Sequence, residues 1–244
     1  AEAIRVMQPT SDTSILKQLA ITMQQRAAPS RRKHARIKPP QKILQACLTY
    51  MEQSMMDEPA PNMNQASRYR DALALGLLAQ CPLRRRNISG LILGQHLTFE
   101  RGIWYCDIPG DETKDGSPIA FTLPKDERFA AAFTHYLLVS RQRLLRDVAL
   151  TADHLQDITG PLWISTRGRA MTAHAFYYAI TRISDALLGA PLYPHLLCDC
   201  AASALASDAP EYILAASRIL GHRSLVTALG HYEQSSMLAA GANL

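Results

Sequence analysis

Leu220-Gly221-His222-Arg223-Ser224, followed ten residues after the histidine by Tyr232, is the stretch on which the reading of this chain turns. Glycine at 221 permits a tight backbone turn, which would present His222. A histidine so placed can donate a hydrogen bond to a phosphate oxygen or take part in proton transfer. Tyr232 then becomes a candidate phenolic nucleophile. A free phenol titrates near 10, so attack at neutral pH needs groups that activate it or its target. The bland alternatives are a packed tyrosine and a helix-capping or core histidine.

Three earlier segments carry matching chemistry. Arg84 lies in Pro82-Leu83-Arg84-Arg85-Arg86-Asn87, at a helix start beside an apolar helix. Consecutive arginines point in different directions on a helix, so one can turn inward while the others face solvent. An inward guanidinium offers a planar fork for two phosphate oxygens. Lys114 sits in the turn-like Glu112-Thr113-Lys114-Asp115-Gly116 at the expected tip of a hairpin. A lysine there can protonate the poor alkoxide leaving group of a phosphoryl transfer. His195 follows Tyr193-Pro194 at the expected first turn of a helix, where the backbone favours anions. The bland readings are surface charges, a solvated turn lysine and a simple cap.

The chain has 244 residues and is 48% hydrophobic and 19% charged. That suffices for a sizeable core and argues against global disorder. No uninterrupted apolar run of about 18 residues occurs, so no membrane association is expected. The five cysteines, Cys47, Cys81, Cys106, Cys198 and Cys200, are odd in number and lack paired CxxC spacing. Neither a disulfide scaffold nor a metal site is expected, and a cytoplasmic location fits. Arg26 to Lys38 holds six of the 26 basic residues (Arg26, Arg31, Arg32, Lys33, Arg36 and Lys38) and no acid. The rest of the chain is nearly neutral. Such a run reads either as a solvated linker or as a strap across a phosphate backbone.

Hydrophobic spacing predicts a helix over 11–27, then the linker. Residues 1–38 read as the tail of an upstream segment plus linker, with the main domain spanning 39–244. Helices are expected at 41–54, 65–80 and 84–93. Thr98 to Pro109 and Ile119 to Leu123 read as strands. Asp126 to Leu150 is expected to be helical, and Leu162 to Ser165 extended before a turn at Arg167-Gly168-Arg169. Helices follow at 172–187, 195–206 and 210–219. The expected fold class is mainly α with a small antiparallel β-sheet.

In order and type, Arg84, Lys114, His195, His222 and Tyr232 resemble the motif set of the tyrosine recombinases, the phage integrase family. Pro82 to Ile88 resembles the first arginine motif and Ile108 to Lys114 the lysine hairpin. Leu162 to Met171 resembles the loop between sheet and late helices, and Leu220 to Tyr232 is the most specific match. The resemblance spans 39–235 and implies the catalytic-domain fold of that family. It implies that Tyr232 attacks a DNA phosphate to give a 3′-phosphotyrosyl link. Arg84 and His222 would stabilise the phosphate oxygens, His195 would assist proton transfer, and Lys114 would protonate the leaving 5′-oxygen. No cofactor is implied. The implied partner is double-stranded DNA, touched also by Arg31, Arg32, Lys33, Arg36, Lys38, Arg85, Arg86 and Arg223. Self-association on DNA through the segment after Tyr232 is implied as well.

The family pattern is His-x-x-Arg, yet this chain reads His195-Leu196-Leu197-Cys198. A thiol cannot offer a bidentate cation. Loss of a preorganised donor costs roughly 10²–10³ in rate. The expectation is therefore a site-specific DNA recombinase impaired at Cys198. Alternatives are a DNA-binding protein on the same fold without chemistry and a helical protein-interaction domain. Asn87 is a second departure, at a position where the family often has an acid.

Overall fold

The computed structural model describes residues 12–26, 36–56, 61–114, 116–124 and 126–208. The helix expected at 210–219, together with His222, Arg223 and Tyr232, lies outside the described residues, as do Arg31, Arg32 and Lys33. Chain contacts define two compact units, Ala1–Arg36 and Ile37–Leu244. The first contains helix α1 (Ser14–Arg26), whose start is held by Asp12 accepting from the Ser14 amide at 2.8 Å.

The second unit is built around α3 (Met63–Gln80), which is buried almost all round from Tyr69 to Ala79. Its start is fixed by a reciprocal capping box. Asn62 accepts from the Asn64 and Gln65 amides, and Gln65 accepts from the Asn62 amide at 2.8 Å. Helix α2 (Pro40–Met56) lays Ile43, Cys47, Leu48 and Met51 against it. Helix α7 (Ala173–Leu188) covers another side through Phe176, Ala179, Ile180 and Ile183. Helix α8 (Pro194–Asp208) also packs on α3. A helix buried on nearly every side, flanked by helices that turn apolar stripes toward it, is what those stripes require.

In chain order, the segment between α3 and α7 contributes a sheet of order β4-β3-β2-β1-β5. Its strands are β1 (Ile92–Leu93), β2 (Leu97–Glu100), β3 (Ile103–Ile108), β4 (Ile119–Thr122) and β5 (Gly160–Pro161). On β3, Trp104, Cys106 and Ile108 are buried while Tyr105 and Asp107 are exposed, the period-two pattern of a strand with one face covered. The sheet is mixed rather than purely antiparallel. β1 and β2 pair parallel at Leu93 and Leu97, whereas the other pairings are antiparallel.

Two helices are shorter than their periodicity predicts. The one expected over 84–93 is only α4 (Arg85–Ser89); Gly90 caps it, and Gly94 at φ +79° turns the chain between β1 and β2. The one expected over 126–150 comprises α5 (Glu127–His135), a π turn (Tyr136–Ser140) and α6 (Arg141–Leu145). It stops where Arg146 adopts a left-handed conformation, at φ 65°. Among the described residues no helix is long and apolar enough to cross a membrane.

His135 at the end of α5 packs against the Tyr69 ring, 4.9 Å between centroids. Burial holds its pKa below the ordinary value near 6.5. The unfolded chain thus binds this proton more readily than the folded one. The stability that neutral His135 contributes is present above about pH 6.5 and is lost as pH falls below it. The melting temperature should therefore drop more between about pH 7.5 and about pH 5.5 in the parent than in His135→Gln. Equal drops would refute this.

Candidate functional site

Arg84 caps the N-terminal end of α4 from extended backbone (φ −60°, ψ 143°) and is half-buried. Arg85 and Arg86 are exposed. Arg85 holds its guanidinium over the Tyr177 ring, 5.9 Å from the centroid, which joins α4 to α7 through a cation–π contact. Trp163 fixes the same segment from below, donating Nε1–H to the Ile88 carbonyl at 2.7 Å.

Cys198 comes to this place from the other side. On α8 it is buried, and its thiol lies 3.4 Å from the Pro82 carbonyl, two residues before Arg84. Burial is the main reason its pKa is pushed up to about 11; neighbouring Asp199 adds to the rise and Arg84 opposes it. The thiol is thus a neutral group within electrostatic reach of the Arg84 guanidinium. His195 is exposed in the first turn of α8, whose Leu196 and Leu197 amides donate to the Tyr193 carbonyl. Lys38 donates its amide to Cys200 Sγ at 3.5 Å, so the downstream end of the basic linker is tied to α8. Cys198 thus links α8 to the Arg84 segment, while Lys38 meets α8 at Cys200, which lies two residues further along the helix and so faces away from Cys198.

Lys114 is exposed in the β3–β4 connection and makes no hydrogen bond or ion pair with that region among the described residues. Its loop is nevertheless firmly held. Thr113 Oγ1 bonds the Gly110 and Ser117 carbonyls, each at 2.9 Å. Buried His96 accepts the Ile92 amide at Nδ1, which leaves Nε2–H to donate to Glu112 at 3.2 Å. Gly110 passes so close to the Gly116 carbonyl that a Cβ there would collide with backbone. Gly110→Ala should cost about 1–3 kcal/mol and lower the melting temperature by about 2–4 °C per kcal/mol. Amide shifts should spread through 110–118. An unchanged loop spectrum would contradict this packing.

Sequence reasoning missed several supporting residues. Asp199 sets an acid beside Cys198, Tyr177 carries Arg85, and His96 with Glu112 holds the lysine loop. Glu112 and Asp199 lay inside segments already singled out, Asp199 as an acid of the wrong sign beside Cys198; His96 and Tyr177 have no local signature. Asn87 is buried, and its amide nitrogen has no partner among the described residues. No group of three or more His, Cys, Asp or Glu side chains could hold a metal ion among the described residues.

No protein-family profile matches the chain, and no curated protein does. Among solved structures, the XerH site-specific recombinase, in a post-cleavage complex with a palindromic difH substrate, is similar to it. The likeness has a TM-score of 0.55 at 18% identity and covers 83% of this chain. The chain spans about half (51%) of that solved chain. The likeness is one of fold: a mainly helical domain with a small mixed sheet.

Proposed function

We propose that this chain is the strand-exchange domain of a DNA recombinase, with Tyr232 as nucleophile and Cys198 as a weakened phosphate clamp. The observation that carries the reading is the approach of Cys198 to Pro82 and Arg84. A side chain at 198 and the guanidinium at 84 serve one spot, as two clamps on one phosphate would. The fold likeness to a site-specific recombinase supports it. Arg84 binds phosphate oxygens, exposed His195 moves a proton at the reacting oxygens, and exposed Lys114 on the β3–β4 connection protonates the leaving 5′-oxygen. His222 would complete the oxyanion contacts. Residues 39–244 form the catalytic domain. Residues 1–38 supply a helix and a basic strap in which Arg31, Arg32, Lys33, Arg36 and Lys38 contact DNA, joined by Arg85, Arg86 and Arg223. The segment after Tyr232 mediates self-association on DNA.

The buried, neutral thiol at 198 also favours a second reading, a DNA-binding protein on this fold without chemistry. One experiment separates the two. Nicked duplexes of random sequence are incubated with the Cys198→Arg protein, and covalent adducts are recovered under denaturing conditions. The strand-exchange reading expects adducts that disappear in Tyr232→Phe. Salt-sensitive binding with no adduct, equal in both proteins, leaves the second reading and removes the first.

A further inference from the structure

Outside that region, an open pocket of about 190 Å³ is lined by Arg141 and by the loop that follows α6, on which His154, Asp157 and Thr159 are exposed. Arg141 is only 4% exposed. Its Nε and Nη2 donate to the Pro161 carbonyl at 3.2 and 3.1 Å, and Nη2 also donates to the Thr159 carbonyl at 2.9 Å. Gly160 lies between them at φ +89°, a conformation open to glycine that lets both carbonyls turn toward the guanidinium. Nη1 makes no hydrogen bond to any described residue, and no carboxylate pairs with Arg141 among them.

A largely buried guanidinium favours an anion on the side where its Nη1 opens to solvent. Two carbonyl dipoles supply part of its counter-charge. The cavity has room for the rest: a water molecule takes about 30 Å³ of liquid, so a group of several heavy atoms fits. Other polar residues line the same space, namely Gln142, His154, Asp157 and Thr159, alongside Leu150 and Ile158. His154 Nδ1 lies 3.0 Å from the Thr151 hydroxyl. When that hydroxyl donates, Nε2 carries the hydrogen and is itself a donor. Asp157 is the one acid on the wall; it opposes an anion and would be the group that sets how tightly one is held.

We propose that this cavity is a binding site for a phosphate group, with Arg141 Nη1 as its charged donor and Asp157 limiting its affinity. Nothing in this depends on the strand-exchange reading, because none of the lining residues belongs to the Arg84–Cys198 region.

The test is a titration of the whole chain with inorganic phosphate at constant ionic strength, balanced with chloride and followed by amide NMR. Saturable shifts are expected at Ile158, Thr159 and Gly160. Asp157→Asn should tighten binding about fivefold, the effect of removing one like charge near about 4 Å in water. Arg141→Lys keeps a charge but loses the fork, and should weaken binding by tenfold or more. Arg84→Ala should leave these shifts unchanged. A short duplex is the second arm. If the duplex produces the same shifts and phosphate competes them away, the phosphate is that of a nucleic-acid backbone; if only inorganic phosphate produces them, the site takes a free anion. Either result supports the site. The proposal is overturned if neither ligand gives saturable shifts in the parent and Asp157→Asn proteins. It is also overturned if the shifts are indifferent to both Asp157→Asn and Arg141→Lys, or vanish in Arg84→Ala.

Discussion

Arg70→Met is expected to destabilise the protein by about 3–5 kcal/mol, the cost of breaking a buried ion pair from one side. Arg70 and Asp71 are adjacent on α3, with side chains only 5% and 8% exposed. Arg70 Nε donates to Asp71 at 2.8 Å and Nη1 to the Ile164 carbonyl at 2.5 Å. One guanidinium thus neutralises a core carboxylate and anchors the 162–171 loop. Burial pushes the Asp71 carboxyl up, while Arg70 and then Arg182 oppose the rise. Without Arg70 the carboxyl is driven higher still. An acid whose folded pKa lies above its unfolded one loses stability as pH rises. Arg70→Met should therefore be markedly less destabilised near about pH 5 than near about pH 7.5, the reverse of the trend expected from His135. Replacing both residues, as Arg70→Met with Asp71→Leu, should recover most of the loss, since no uncompensated charge remains. Denaturant unfolding measures all three. A loss under about 1 kcal/mol for the single variant would mean that the pair is solvated, as exposed pairs are.

That pair also marks where the sequence stops being legible. The helix over 65–80 is legible, but nothing local says that its adjacent charges are buried; only the three-dimensional approach of Ile164 does. The elements that read correctly are those whose signal is local. The continuous apolar run at 72–79 marks the central helix, and strand-favouring residues mark Thr98 to Pro109, which positive-φ Arg101 and Gly102 divide into β2 and β3. The errors arose where a single backbone angle decides. Arg146 ends α6 in a left-handed conformation that its residue type does not announce, and Gly90 and Gly94 convert a helical pattern into a turn and a strand. Within the candidate region, residue order suggested that segments 82–88 and 195–198 belong together, and the 3.4 Å approach of Cys198 to Pro82 places them side by side. Order could not foresee Tyr177 under Arg85, because a cation–π contact between distant segments leaves no spacing to read.

The second large effect is a gain. On the strand-exchange reading, Cys198→Arg should raise covalent-adduct yield by roughly 10²–10³, the worth of one preorganised charged donor at a reacting phosphate. The structure adds a cost that the sequence does not. Cys198 is 4% exposed and faces the Pro82 carbonyl. A guanidinium must enter a space packed for a thiol, at a typical cost of about 1–3 kcal/mol, with Arg84 as a like charge nearby. Asp199 offsets part of that repulsion, and the arginine stem can run along apolar surface while its head reaches outward. The variant without DNA should therefore melt a few degrees lower, at about 2–4 °C per kcal/mol. A DNA phosphate between Arg84 and the new guanidinium supplies the missing anion, so duplex DNA should stabilise Cys198→Arg more than the parent. Two controls divide charge from bulk. Cys198→Lys brings a point charge without the fork and should recover less of the gain. Cys198→Met brings volume alone and should recover none. If Cys198→Arg binds duplex as tightly as the parent yet forms no more adduct, the thiol is not standing in for a phosphate clamp, and the chemistry assigned to this region goes with it.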